Sequence, residues 1–431
     1  VHGKNVQLTI DSDIQYILEK AIKDTYDRYE PKSITAIAAD PKTMRILGMA
    51  SLPSYNPNEY WKTEPGADFD YAIKGLYEPG STFKIVTLAA AVEEGVFNPD
   101  ETYMSGSIVV SGQPIRDHRR EGWGEITMLE GLKKSSNVAF VKLGYEKMES
   151  ATLKRYIDAF GFGQPTGIPL KGEVSGMVAP RYATEWATLT FGQGRVLVTP
   201  IQQVAAVAAI ANGGVLMQPQ LVDSIQDPND GSVQKVEPKA VRRVISEETA
   251  RKVGEYLEQV VTDGTGKNAF IEGYRVAGKT GTAQKVVGRE YAEGKYVVSF
   301  IGYAPVEDPK IVVYVVVDEP NDPYAGGGSV AAPVFKEIML QSLRHLGIGP
   351  SNAVKALSAG ARKETVVTVP DVTELPISQA RGELRARSLN LEVVGGGATV
   401  LQQIPKAGTN ILPSQRIYLI TEERSKLQVP D

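Results

Sequence analysis

Residues 1–347 carry strand patterns at both ends and helical patterns between them, and this order leaves few ways to fold. Val6–Ile10 alternates apolar and polar residues. Ile34–Ala39 and Arg45–Ser51 read as a hairpin around Asp40-Pro41-Lys42-Thr43. Strand signal returns only at Arg275-Val276-Ala277, Tyr296–Tyr303 and Ile311–Asp318. Between these lie helical stretches at Thr127–Lys134, Val138–Lys147, Thr152–Phe160, Pro200–Asn212 and Ser246–Val261. A helix capped by Asp11 or Ser12 precedes the hairpin, another follows Ser81 with Val86, Leu88, Ala89 and Val92 as its buried stripe, and one from Ala332 to about Leu346 closes the region. Strands from the two ends must meet in one sheet, which gives an α+β arrangement. The six residues Ala304–Pro309 are too few for a helical crossover, so the last strands pair antiparallel.

Three polar groups stand at intervals on this frame: Ser81 with Lys84 in Glu78-Pro79-Gly80-Ser81-Thr82-Phe83-Lys84, then Ser135-Ser136-Asn137, then Lys279-Thr280-Gly281-Thr282. A serine hydroxyl is a poor nucleophile without a neighbouring base. If Pro79-Gly80 breaks the chain and Ser81 opens a helix, residues i and i+3 share a face and Lys84 falls beside Ser81. A helix start also offers unpaired N–H groups and a partial positive charge, which suit an acyl-transfer oxyanion. Each piece alone also fits something plainer: Ser81 a helix cap, Lys84 a solvated first-turn lysine, Ser135-Ser136-Asn137 a polar turn.

Taken together and in this order, the three groups resemble the motif set of penicillin-binding proteins and class A β-lactamases. The run Glu78–Lys84 resembles the active-serine signature of class B, monofunctional penicillin-binding transpeptidases. Ser135–Phe140 resembles their second motif, with Ser136 where the lactamases usually carry Asp. Phe191-Gly192-Gln193-Gly194, Thr199-Pro200-Ile201-Gln202 and Val330–Phe335 extend the similarity. The implied fold is a β-lactamase/transpeptidase-like antiparallel sheet flanked by helices. The implied activity is D,D-transpeptidation of peptidoglycan stem peptides, with acylation by β-lactam antibiotics. By the same resemblance Ser81 is the nucleophile, Lys84 its base, Ser135 a proton relay and Asn137 a ligand of the substrate amide. Lys279, Thr280 and Thr282 would bind the substrate carboxylate, and the N–H groups of Ser81 and Thr282 would form the oxyanion hole. Gly281 fits a strand that approaches a ligand closely.

After a small, polar linker at 348–365, residues 366–423 resemble a PASTA module, a β-α-β-β unit built from Val366–Val369, a helix near Ser378–Arg387, Leu391–Val394 and Arg416–Ile420; a short tail, 424–431, follows. No second copy is present. Relatives with one such module resemble spore-cortex enzymes, and those with two more often resemble division enzymes. Class B relatives begin with a membrane anchor, so the resemblance implies an extracytoplasmic chain tethered by an N-terminal helix absent here. A lipid-linked wall-synthesis polymerase would be its partner.

Composition excludes several other classes. Absent cysteines rule out disulfides and thiolate metal sites, and three histidines (His2, His118, His345) make a multi-histidine site unexpected, so no metal or cofactor is predicted. The net charge of -4 gives no global attraction to nucleic acid. No apolar run reaches the roughly 18–20 residues of a membrane helix, the nearest being Val204–Ala211, read as amphipathic, and the strand Ile311–Val317. Gly273–Thr280 matches the phosphate-binding loop G-x-x-x-x-G-K-[ST], with Asp318-Glu319 after an apolar strand as a possible magnesium site. Such a loop must follow a strand and open a helix, and Arg275-Val276-Ala277 reads as strand instead. Asp117-His118 is the one adjacent acid–histidine pair, in an arginine-rich segment read as a solvated loop. The three polar groups would also serve a D,D-carboxypeptidase, or a β-lactamase or β-lactam sensor with Glu173 or Glu185 as the deacylating acid. Outside enzymes, the chain would read as a non-catalytic wall-binding scaffold.

Overall fold

A computed structural model describes residues 3–288, 290–350, 367–387, 389–411 and 416–422. They divide into two compact units. One comprises Val1–Pro53, Phe69–Ile271 and Arg275–Met339; the other comprises Ser54–Asp68, Glu272–Tyr274 and Leu340–Asp431.

The first unit is built on a five-stranded antiparallel sheet. Its strands are β1 (Ser33–Ala39), β2 (Ile46–Leu52), β3 (Ala277–Val287), β4 (Glu290–Ala304) and β5 (Ile311–Asp318), in the order β3-β4-β5-β1-β2. The seam between the chain's early and late halves is the β1–β5 pair, with Ala39 opposite Val312 and Ser33 opposite Asp318. Both strands are buried on both faces, which accounts for their runs of apolar residues without alternation. The first expected strand forms at Asn5–Leu8 but pairs with Val222–Gln226 in a separate small sheet.

Helix α1 (Ser12–Tyr29) starts where the Asp11 carboxylate accepts the N–H groups of Asp13 and Ile14, and it packs on β2. Two helices differ from the surface elements their sequences suggest. In α2 (Lys84–Glu93), residues Lys84–Ala91 are all buried rather than a single stripe. In α5 (Pro200–Ala211), read as amphipathic, all twelve residues are buried. Gln202 and Gln203 create the appearance of a polar face, yet both bond inside the protein: Gln202 Nε2 donates to Gln164 O and Ser175 O, and Gln203 Nε2 to Thr82 Oγ1. A helix apolar all round belongs in a core, and these two run through the core cluster that also takes in β1 and β5. Between them in sequence lie α3 (Met128–Lys133) and α4 (Asn137–Val141); α6 (Glu247–Asp263), capped by Ser246, and α7 (Ala332–His345) follow.

The second unit includes a small module with its own core of Val369, Val372, Ala380, Leu384, Leu389, Val400, Ile411, Ile417 and Leu419. Helix Ile377–Ala386 accompanies strand Asn390–Val394, which runs parallel to Arg416–Ile420. Two short strands absent from the expected β-α-β-β order, Gln402–Ile404 and Asn410–Ile411, complete it. The expected linker, from residue 351 on, and the tail at 424–431 lie outside the described residues.

Candidate active site

All three polar groups converge in the first unit on a cleft of about 640 Å3, lined by Ser81, Ser135, Asn137, Thr280 and Thr282 among others. Local backbone geometry explains how each arrives. Gly80, at φ +57°, donates its N–H to Gly192 O at 2.9 Å, and Gly80–Phe83 form one 3₁₀ turn running directly into α2. This places Ser81 and Lys84 at i and i+3 on a helical start, as expected.

The second group serves three local purposes at once. Ser135 N–H donates to Leu132 O and Ser136 N–H to Gly131 O, a helix-ending motif whose next-to-last residue must be left-handed. Ser135 takes that conformation at φ 58°, where glycine is the usual occupant. Ser136 Oγ accepts Ala139 N–H and caps α4, and Asn137 opens it. The segment is both the plain turn and the site.

The third group lies on β3, an edge strand paired only with β4. Side-chain alternation puts Thr280, Thr282 and Gln284 on the cleft, while Lys279 is fully buried beneath it. Gly281 also answers a constraint within the fold. A Cβ there would collide with Ser299 Oγ on β4 and sit 3.0 Å from Thr82 Cγ2, so the residue is small to let the sheet and the Ser81 turn close on each other.

One hydroxyl joins the groups. Ser135 Oγ donates to Ser81 Oγ at 3.0 Å and accepts from Lys279 Nζ at 2.8 Å and Lys84 Nζ at 3.2 Å, so its one proton and two lone pairs are all engaged. Lys84 Nζ also donates to Ser135 O (2.7 Å) and Asn137 Oδ1 (2.9 Å). No hydrogen bond joins Lys84 directly to Ser81; among the described residues the path runs through Ser135. Burial drives the Lys84 ammonium well below the usual lysine range, the Lys279 charge pushes it the same way, and Asp117 opposes both. Burial alone lowers Lys279 to about 7. Burial thus disfavours the charged form of both lysines.

Asp117 is the residue that sequence reasoning misplaced. It is 2% exposed, not solvated: Oδ1 accepts Ser136 Oγ (2.9 Å) and Val138 N–H (3.0 Å), and Oδ2 accepts Gly106 N–H (2.8 Å). The carboxylate anchors the turn that carries Ser135 and Asn137. Because it is spent there, it does not orient His118, which lines the cleft with its ring edge-on to Trp123; a serine–histidine–acid triad is absent among the described residues. Glu78, three residues before Ser81, is a second unforeseen contributor. Its carboxyl accepts Gly194 N–H at 3.2 Å and Tyr291 OH at 3.1 Å, and burial raises it to about 7. This ties down the Gly192–Gly194 loop, whose neighbours Phe191 and Gln193 line the cleft.

The rival readings lose their structural basis. Gly278-Lys279-Thr280 lies inside β3 instead of between a strand and a helix, so the phosphate-loop match is not a phosphate loop. Glu173 caps the Thr166-Gly167 backbone and Glu185 the Arg181-Tyr182 backbone, and neither lines the cleft as a deacylating glutamate would.

Comparison with known proteins agrees with this geometry. Residues 34–340 match the family described as penicillin binding protein transpeptidase domain, and residues 367–423 match the PASTA domain. The chain belongs to the penicillin-binding protein transpeptidase family. Stage V sporulation protein D of Bacillus subtilis is 43% identical over 98% of this chain and 66% of its own length. Peptidoglycan D,D-transpeptidase FtsI of Escherichia coli K12 is 34% identical over 84% of this chain and 59% of its own. The chain therefore spans between more than half and about two-thirds of these curated relatives. Among solved structures, the transpeptidase domain of Burkholderia pseudomallei penicillin-binding protein 3 superposes with a TM-score of 0.68 at 33% identity, covering 80% of this chain and 97% of that one. Mycobacterium tuberculosis penicillin-binding protein 3 complexed with aztreonam gives 0.73 at 31% identity, covering 82% of each.

Proposed function

We propose that this chain is a serine D,D-transpeptidase that cross-links peptidoglycan stem peptides through an acyl-enzyme on Ser81. The observation that carries the reading is the Ser135 hydroxyl, placed between Ser81 and two buried lysines. Ser81 Oγ attacks the carbonyl that precedes a terminal D-alanine. With a lysine neutral, the Ser135 hydroxyl turns to donate to that lysine and accepts the Ser81 proton, which passes by this route to the lysine and on to the leaving amine as the C–N bond breaks. The amine of a second stem then attacks the ester, the new amide forms, and Ser81 recovers its proton. Asn137 Nδ2 is held by Arg116 O and its Oδ1 by Lys84, a posture suited to orienting the substrate amide. The Ser81 and Thr282 N–H groups serve as the oxyanion hole; a Cβ on Gly80 would lie 3.2 Å from Thr282 O, a measure of how closely the two segments pass. Thr280 and Thr282 offer hydroxyls to the terminal carboxylate, with Lys279 supplying charge from beneath.

β-Lactams acylate the same serine. The likeness to stage V sporulation protein D across 98% of the chain supports a role in spore-wall construction over one in the septum. Family resemblance also supports action on the extracytoplasmic face of the membrane and a wall-synthesis polymerase as partner. Among the described residues no helix is long and apolar enough to cross a membrane.

Intact-mass analysis after exposure to a penicillin tests the reading. The chain should gain one penicilloyl group, mapped to the peptide containing Ser81, and Ser81→Ala should take up none. Covalent labelling that survives in Ser81→Ala would overturn the assignment.

A further inference from the structure

Arg116 stands out on the cleft wall because it is the only permanently charged side chain among the described residues that line it, and no carboxylate lines the cleft with it. Most other arginines near acidic groups are paired: Arg119 with Glu121, Arg155 with Glu94, Arg275 with Glu258. Arg116 has no such ion pair among the described residues, and its side chain is exposed. Its backbone, by contrast, is firmly held. Arg116 ends the strand Gln113–Arg116, paired with Ser107–Val110. Its carbonyl accepts Asn137 Nδ2 at 3.0 Å, and the next residue is Asp117, fixed by three hydrogen bonds. A firmly held backbone, bonded to Asn137 through its carbonyl, thus carries an exposed guanidinium without an ion-pair partner among the described residues at the wall of the cleft.

An unpaired guanidinium held this way is a carboxylate receptor awaiting its partner, since its fork matches a carboxylate in two parallel hydrogen bonds. The terminal carboxylate of the substrate is already served from the β3 side by Thr280, Thr282 and Lys279. We propose that Arg116 recognises a second, ionised carboxylate on the acyl-donor peptide, carried by a side chain close to the amide that Ser81 attacks. The cleft therefore selects stem peptides in which that side-chain carboxyl is free over those in which it is amidated or missing. This deepens the transpeptidase reading and rests on it.

The test uses two synthetic peptides ending in D-Ala-D-Ala, identical except that the side chain before the terminal pair bears a free carboxylate in one and a primary amide in the other. Release of D-alanine by the full chain is measured for each. The wild type should favour the carboxylate peptide in kcat/KM by about tenfold, the scale of one charge-assisted bond. The preference should shrink as salt rises through about 0.5 M. In Arg116→Gln it should fall to within about twofold, and Arg116→Lys should retain part of it as a point charge without the fork. Equal losses for both peptides in Arg116→Gln, or a wild type indifferent to the carboxylate at every salt concentration, would refute the proposal. Penicillin labelling of Ser81 in the same preparations separates the outcomes: labelling without carboxylate preference rejects the role of Arg116 alone, and no labelling rejects the underlying transpeptidase reading.

Discussion

Lys84 and Lys279 both reach Ser135 Oγ with no solvent exposure, so they cannot carry two full charges at little cost, and the pH behaviour of the site follows from that crowding. A base must be unprotonated to act, so acylation of the wild type should rise with pH as the pair loses a proton. Lys279→Ala removes the neighbouring charge that lowers Lys84, and the Lys84 ammonium then releases its proton at higher pH. We expect penicillin acylation in this variant to slow by roughly 10- to 150-fold, the worth of a charge-assisted hydrogen bond. Its pH profile, followed by stopped-flow labelling across about pH 5 to 9, should be displaced toward alkali. A slower variant with an unmoved profile would mean that Lys279 acts on the substrate alone. The residues of this site were legible in sequence because their chemistry is carried by residue type: a nucleophilic serine, lysines, an amide, a threonine pair. Asp117 was not. In Arg116-Asp117-His118-Arg119-Arg120 an anchoring carboxylate has the same composition as a solvated charge run, and only the approach of Ser136 and Val138 from another element distinguishes them.

At the level of elements, periodicity located most strands and helices and misjudged their surroundings. Ile311–Asp318 was readable because a continuous apolar run bounded by polar residues suits a strand buried on both faces. For α5 the same logic failed, because two glutamines that bond inward look identical in sequence to two facing water. Arg275 and Val276 were expected in the strand that begins at Ala277, a boundary displaced by two residues. Gly281 shows how an element can be limited by its neighbours in the fold. Gly281→Ala would force β3 away from Ser299 on β4 and from Thr82 beside the nucleophile. Overpacking of this kind costs about 1–3 kcal/mol, visible as a lowered melting temperature together with a loss of acylation. Adding Ser299→Ala removes the colliding oxygen and should recover much of both. Wild-type behaviour of the single variant, or a double variant no better than the single, would show that contact with Ser299 is not the constraint.

On the scale of the whole chain, every residue assigned to the chemistry lies between Glu78 and Thr282, and the module at its far end has an apolar core of its own. Removing everything after Gly347 should leave the penicillin acylation rate within a few-fold of the full chain, by fluorescent-penicillin titration of both proteins. A truncated protein that keeps its circular dichroism and melting transition yet no longer acylates would show that the far end shapes the cleft. The seam of the main sheet has a further consequence. Ala39 meets Val312 and Ser33 meets Asp318, so the central strand pair joins segments far apart along the chain. Contacts so distant along the chain are slow to form. A polypeptide emerging from the ribosome or a secretion pore carries Ser81 long before β5 exists to seat beside β1. Until then the Ser81 turn lacks the completed sheet that carries Lys279 and Thr282, so the proposed acyl transfer has to await the folded chain.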